Sequence, residues 1–245
     1  MRHLFNVKKN LYYLIRKIFY FIIFFSPNYF KIVIYYYCYY FSENKENELF
    51  RLNNIIYKKG NAIDVGCNLG LWSYALTKNK KIKKIYSFEP NKEITKNLND
   101  FNSNKIKIFY YALSNKEIIR NLIIPYNKYY ELDGYATIEK EIYLKNKSLF
   151  KQFKKVIIKS KKLDSFNFKN ISFIKIDVEG HELKLLNGSK KFFKLNKPNC
   201  LIEIKKKNLP KVQKFFNSLN LNYKCKQKVD TLKLAKENYL FSITQ

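Results

Sequence analysis

Nine residues, Ala62-Ile-Asp-Val-Gly-Cys-Asn-Leu-Gly70, constrain the fold more than any other stretch of this chain. The pattern predicts an apolar strand over 61–65, a turn at 66–70 and a helix over 71–77. Gly66 and Gly70 allow a tight turn and a close approach of backbone to a ligand, as the crevice of a doubly wound sheet requires. A second strand is predicted over 83–88, ending in Glu89-Pro90-Asn91, then a helix over 93–101 and a third strand over 106–111. Strand and helix alternating in so short a span predict an α/β protein whose mostly parallel strands are joined by crossover helices.

The flanking regions extend this pattern. Leu49, Leu52, Ile55 and Ile56 fall at helical spacing in a predicted helix over 46–58, closed by Gly60. The middle, 114–160, is less regular, with β-branched stretches at 118–124 and 154–159 that predict extra strands around a Tyr-rich loop. Beyond it come a strand over 171–176 ending in Asp177-Val-Glu-Gly-His-Glu182, a helix over 181–186, a strand over 200–204 and a helix over 211–219. Segments 223–226 and 239–243 are expected to supply a closing strand pair. No linker rich in Pro, Gly or Ser divides the chain, so one domain is expected over 42–245, preceded by an aromatic and basic extension over 1–41.

That extension holds apolar runs at 18–25 and 32–41, broken by Ser26-Pro27-Asn28. Each is shorter than the roughly 20 residues a spanning helix needs, and no small-residue cleavage site follows the first. Two readings stay open: a helix packed on the core or on a second subunit, or an interfacial anchor lying on a membrane.

Composition adds exclusions. Among 245 residues, 47% are apolar and 18% aromatic, which excludes a disordered or collagen-like chain. The net charge of +29 invites a nucleic-acid partner, but only Arg2, Arg16, Arg51 and Arg120 among the 48 basic residues are arginines. Arg supplies most specific phosphate and base contacts, and Lys rises together with Asn, Ile, Tyr and Phe when codons are AT-rich. Nucleic acid is therefore not the favoured partner. Cys38, Cys67, Cys200 and Cys225 are far apart with no C-x-x-C pair, which argues against a disulfide framework or structural zinc and for a cytosolic compartment. Peripheral contact with the inner membrane face through the N-terminus stays open.

Glu89 stands nineteen residues beyond Gly70, at the end of the second strand, where an acidic side chain accepts hydrogen bonds from both ribose hydroxyls. The glycine pattern is not the G-x-G-x-x-G that seats a pyrophosphate on a helix N-terminus, and Asp64 just before the loop repels phosphate. A carboxylate there suits a cofactor with a sulfonium and an α-amino group, S-adenosylmethionine, over a nicotinamide dinucleotide. The structural alternative is that the glycines only make a strand-to-helix turn.

Six segments resemble, in order, those of the FkbM-type S-adenosylmethionine-dependent methyltransferases: Asp64-Val-Gly-x-Asn-x-Gly70, Phe88-Glu-Pro-Asn91, Ala112-Leu-Ser114, Leu163-Asp-Ser165, Ile174-Lys-Ile-Asp-Val-Glu-Gly-His-Glu182 and Leu201-Ile-Glu-Ile204. The resemblance runs from about residue 46 to the C-terminus. It implies a class I methyltransferase (Rossmann-like) fold, a seven-stranded sheet with an antiparallel last strand, and O-methylation of sugar or other hydroxyls. It also implies that Asp64, Gly66, Asn68 and Gly70 line the methionine end of the cofactor, that Glu89 holds the ribose and that Ala112 lies near the adenine.

An aliphatic hydroxyl becomes a nucleophile only when a base or a metal takes its proton. Asp177, Glu179, His181 and Glu182 form the richest proton-handling cluster, at the C-terminal end of a strand where open α/β sheets bind ligands. Asp177, Glu179 and His181 are the catalytic candidates, with His181 able to serve as the base. Their structural alternatives are contact with the cofactor amino group, capping of the next helix, and cover for its start. Magnesium on these carboxylates is conceivable, but the spacing gives no diagnostic ligand pattern and no metal site is expected. Asp133-Gly-Tyr135 is a candidate lid, with Tyr129, Tyr130 and Tyr135 either stacking on a sugar ring or lying in a solvated loop. The expected activity is O-methylation of a glycan or small hydroxylated acceptor. The competing class is a non-enzymatic RNA-binding or membrane-tethering protein on the same scaffold. Nitrogen methylation is disfavoured because no acidic-Pro-Pro-aromatic turn follows the strand that ends at Asp177.

Overall fold

The computed structural model describes residues 28–40, 47–101, 103–126, 132–229, 232–235 and 237–243. Helices α1 (Asn28–Tyr40) and α2 (Asn47–Phe50) precede β1 (Gly60–Val65), α3 (Leu71–Thr77), β2 (Ile82–Phe88), α4 (Lys96–Asp100), β3 (Ile106–Phe109) and β4 (Ala112–Leu113). An excursion follows, made of β5 (Ile119–Tyr126), α5 (Lys140–Lys147) and β6 (Gln152–Lys161). The chain then forms β7 (Ile171–Ile176), α6 (Glu182–Asn187), α7 (Lys190–Asn196), β8 (Asn199–Glu203), α8 (Leu209–Asn217), β9 (Tyr223–Lys226), β10 (Lys228–Val229), β11 (Leu232–Lys233) and β12 (Asn238–Ile243).

Seven strands make the main sheet in the order β3-β2-β1-β7-β8-β12-β9. The neighbours from β3 through β8 are parallel, whereas β12 runs antiparallel to both β8 and β9. This is the class I methyltransferase arrangement of an α/β doubly wound sheet. Strand order reverses between β1 and β7, which opens a crevice at the carboxyl ends of these strands. β5 and β6 pair antiparallel in a separate three-stranded sheet with β4.

Both faces of the main sheet are covered, and its central strands β1, β7 and β8 are buried nearly along their length. Ile63, Val65, Ile174, Ile176, Cys200 and Ile202 point to one side, against Leu185, Phe193, Val212 and Phe216. Ala62, Phe173, Leu201 and Leu240 point to the other, against Leu49, Ile56, Trp72 and Leu76. Full burial of side chains of this size contributes about 1.5–3 kcal/mol each.

Local chemistry accounts for the departures from the predicted elements. The helix predicted over 46–58 is only α2 followed by a 3-10 turn at Leu52–Asn54. Asn53, Asn54 and the β-branched pair Ile55-Ile56 are weak helix formers, and Asn53 instead accepts a side-chain hydrogen bond from Asn79 (3.2 Å). The helix predicted over 93–101 shrinks to α4 because Asn91 Oδ1 accepts the Glu93 N–H (3.2 Å), holding the preceding residues in a turn. Helix α7, which no local pattern announced, receives its cap from afar: the Asp164 carboxylate accepts the Lys191 and Phe192 N–H groups (3.2 and 2.8 Å).

Helix α1 lies on the domain. Its Ile32 is buried, and the Tyr36 ring meets Tyr74 and Phe50 edge-on, with centroids 5.2 and 5.0 Å away. The expectations for 1–27 and for 41 fall outside the described residues. No helix among the described residues is long and apolar enough to cross a membrane.

Candidate active site

The crevice at the strand ends widens into an open cleft. Its walls include Gly66, Asn68, Glu89, Ala112, Asp177, Glu179 and His181. Of the nine sequence-predicted site residues, seven thus line one cleft, although they come from four separate strand ends.

The turn after β1 is shaped by near-contact with β7. Gly66 has φ +75°, and a Cβ added there would lie 1.8 Å from the Asp177 carbonyl oxygen. Only glycine fits so close an approach in this conformation. The Gly66 and Cys67 N–H groups donate to the Phe88 carbonyl (2.9 and 3.1 Å), tying the turn to the end of β2. Glu89 completes the link. Its carboxylate accepts the Asn68 N–H (3.1 Å) on one oxygen and the Asn91 N–H (3.0 Å) on the other. These two backbone contacts fix the orientation of the carboxylate at the cleft wall.

Two predicted cofactor residues lie behind the wall. Asp64 is buried, 1% exposed, and accepts a 2.5 Å hydrogen bond from Ser73 Oγ, which also contacts Ser87 Oγ (2.7 Å). Register places Ser87, Asp64 and Lys175 side by side on adjacent strands. Burial pushes the Asp64 carboxyl up to about 6, against the Ser73 hydrogen bond and the Lys175 charge. It braces the turn from below and does not line the cleft. Gly70, at φ +90°, starts α3, and a Cβ there would strike the Leu98 side chain (2.7 Å). It therefore serves helix packing. Cys67 is buried beside Ile32, Tyr74 and Leu98, and burial raises its thiol well above the ordinary range.

The other end of the cleft is acidic. Asp177 and Glu179 also line an adjoining pocket of about 630 Å³ with Glu139, Glu141, Glu182, Glu203 and Glu237. Seven of the 19 carboxylates in a chain of charge +29 face this space. Lys175, itself buried, holds its ammonium 3.9 Å from both Asp177 and Glu203 and over the Trp72 ring. Burial, with repulsion from Asp177 and Glu203, pushes Glu179 up to about 8. Its backbone is in the left-handed region (φ +47°), and its carbonyl accepts from Thr137 Oγ1 (3.1 Å).

His181 does not present a free nitrogen. The ring is 2% exposed, Nδ1 pairs with Glu139, and Nε2 meets Ser114 Oγ at 2.9 Å. Burial lowers its pKa, although Glu139 opposes this. Burial also acts to raise Glu139, but Lys184 Nζ (2.8 and 2.9 Å) and His181 outweigh it and hold the carboxyl low. His181 is therefore a junction joining β4, the loop after β7 and the excursion, and it is poorly placed as a base.

Sequence reasoning missed Glu139, Thr137 and Glu203. Glu203 had a signal, a carboxylate at the end of a predicted strand in Leu201-Ile-Glu-Ile204. Glu139 and Thr137 had none, since only the fold of the excursion brings them to Glu179 and His181. In the candidate lid, Gly134 lines the cleft, whereas Tyr135 is exposed and packs on Phe150 (5.1 Å). Tyr129 and Tyr130 lie outside the described residues. Among the described residues, no three His, Cys, Asp or Glu side chains are grouped to hold a metal ion.

Comparison with known proteins adds an independent line. Residues 64–230 match the model of the methyltransferase FkbM domain. A methyltransferase FkbM from Methylobacillus flagellatus KT superposes with a TM-score of 0.51 at 16% identity, over 75% of this chain and 43% of that one. The chain thus spans less than half of that protein's length, and the likeness speaks for the fold. An rRNA methylase from Streptococcus thermophilus aligns at 10% identity over 81% of this chain and 95% of its own, with a TM-score of 0.46. The TrmK protein of M. capricolum, solved with S-adenosyl-homocysteine, aligns at 15% identity over 81% and 67%, with a TM-score of 0.42. No curated protein matches the chain.

Proposed function

The chain belongs to the FkbM family of S-adenosylmethionine-dependent methyltransferases, and on that premise we propose that it methylates a hydroxyl group of a glycan or a small polyhydroxylated acceptor. One observation carries this reading: Asp177 and Glu179 stand where the cleft beside Glu89 meets an acid-lined pocket. Carboxylates are strong acceptors for the hydroxyls of a polyol.

The residues fit the cofactor. Glu89, held by two backbone amides, takes the ribose hydroxyls. Tyr111, Ala112, Leu113 and Leu122 offer an apolar wall for the adenine. Asp177 suits the α-amino group. When bound, S-adenosylmethionine supplies a methyl group on a positive sulfur, already electrophilic. The chain's own work is then to align the acceptor oxygen and to accept its proton. Glu179 takes that proton, because a carboxylate titrating near 8 is a far better base than an ordinary one. His181 and Glu139 hold the loop that carries it.

Transfer of labelled methyl from S-adenosylmethionine to a panel of oligosaccharides, polyols and amines tests the proposal, with calorimetric titration of S-adenosylmethionine and NAD alongside. Label in a base-stable ether on a sugar supports it. Label on nitrogen alone, or binding of NAD in place of S-adenosylmethionine, overturns it.

A further inference from the structure

We propose that the outer face of the β5–β6 hairpin docks on an anionic lipid bilayer. Strand alternation gives this hairpin two unlike faces. Leu122, Ile124 and Ile158 point inward and are buried, and Leu122 walls the cleft. Ile119, Asn121 and Ile123 of β5 point outward, across from Lys159, Ile157 and Lys155 of β6. Ile157 is 76% exposed and Ile119 is 69% exposed, more than any other large hydrophobic residues among those described. The register makes these two diagonal neighbours, so their side chains form one apolar patch.

The charge around the patch has one sign. Lys155 and Lys159 are exposed beside it, and no carboxylate stands on this face of the two strands. The nearest acid in sequence, Glu117, turns its carboxylate to Ser165. Exposed isoleucine ringed by lysine complements a surface with anionic headgroups above an apolar interior. A polyanion such as RNA answers the lysines but offers the isoleucines only a hydrated phosphate backbone. A second copy of the chain answers the isoleucines, but an isologous contact sets lysine against lysine. The bilayer satisfies both. Because the inner face of the hairpin walls the cleft, docking here brings the methyl-transfer site to the lipid surface.

Co-sedimentation of the full chain with phosphatidylcholine vesicles, with and without phosphatidylglycerol, tests this. Binding is expected only to the anionic vesicles, weakening as salt rises. The pair Ile119→Glu and Ile157→Glu should weaken it by at least about tenfold. Unfolding temperature and S-adenosylmethionine affinity should stay as in the wild type, since both side chains are exposed and away from the cleft. Lys155→Glu with Lys159→Glu should act in the same direction, providing a second pair if the first fails to fold. Three results overturn the proposal: no binding of the wild type to anionic vesicles, unaltered binding by the folded variants, or a wild-type dimer that the isoleucine variants convert to monomer. Retained binding by the variants would return the membrane contact to another surface, with 1–41 the next to test. Methyl transfer is not the readout, so failure here leaves the assigned activity intact, and failure of that activity leaves this result standing.

Discussion

The two ends of the cleft are built in different ways. The end at Glu89, proposed above for the cofactor, is local and made mostly of backbone: Gly66, Asn68 and Glu89 lie within two consecutive strand-turn units and are tied together by main-chain N–H groups. The end at Glu179, proposed for the acceptor, is assembled from far apart in sequence, with Glu139 on the excursion, Asp177 to Glu182 after β7, Glu203 at the end of β8 and Glu237 before β12. It is made of side chains, and its chemistry comes from crowding carboxylates in a partly buried space. A backbone site tolerates few changes because its atoms are fixed by the fold. A side-chain site is free to vary its ligand while the sheet stays as it is.

Substitutions that respect or violate this division should rank accordingly. Gly66→Ala should have the largest effect, since its Cβ meets the Asp177 carbonyl at 1.8 Å and its φ is positive. A stability loss of about 2–5 kcal/mol with no measurable cofactor binding is expected from denaturant unfolding and calorimetry. A loss under about 1 kcal/mol would show that the turn can move away from β7. At the acceptor end, Glu179→Gln should lower turnover by roughly 10²–10⁴-fold while leaving cofactor affinity nearly unchanged, and wild-type turnover should rise with pH toward about 8 as Glu179 ionises. His181→Ala should slow turnover by less than about tenfold, the mark of a positioning residue. The reverse order of these two variants would restore His181 as the base.

Next in size, Glu89→Ala should weaken S-adenosylmethionine by about 1.5–3 kcal/mol, the scale of hydrogen bonds to a charged group, with little change in turnover at saturation. Equal loss of turnover would mean that the two ends are not separable. The smallest effect is on stability against pH. Glu179 titrates near 4.5 when unfolded and near 8 when folded, so the folded chain binds more protons between these values. Stability from this group is therefore full below about 4.5 and falls as pH rises to about 8. Asp64 acts in the same sense between 3.8 and about 6. Denaturation midpoints at pH 5 and pH 8 should differ less in Glu179→Gln than in the wild type.

Strands and turns were legible in the sequence because each rests on short-range rules. Hydrophobic runs define β1 and β7, and an acid at a strand end marks Glu89 and Asp177, which both line the cleft. Where a short-range rule met a tertiary constraint, the latter won. Asp64 has the right type and place for a cofactor ligand, yet register sets it beside Lys175 under Ser73, where burial keeps it as a brace. His181 has the right type for a base, yet Ser114 and Glu139, 67 and 42 residues away in sequence, engage both its nitrogens. Local sequence alone thus determined that the chain would be an α/β doubly wound protein, since periodicity and turn chemistry act over a few residues. Only the tertiary structure decided what the side chains at the candidate site are free to do. Burial, register and crowding of charge are properties of neighbours in space, and the sequence does not say which neighbours those will be.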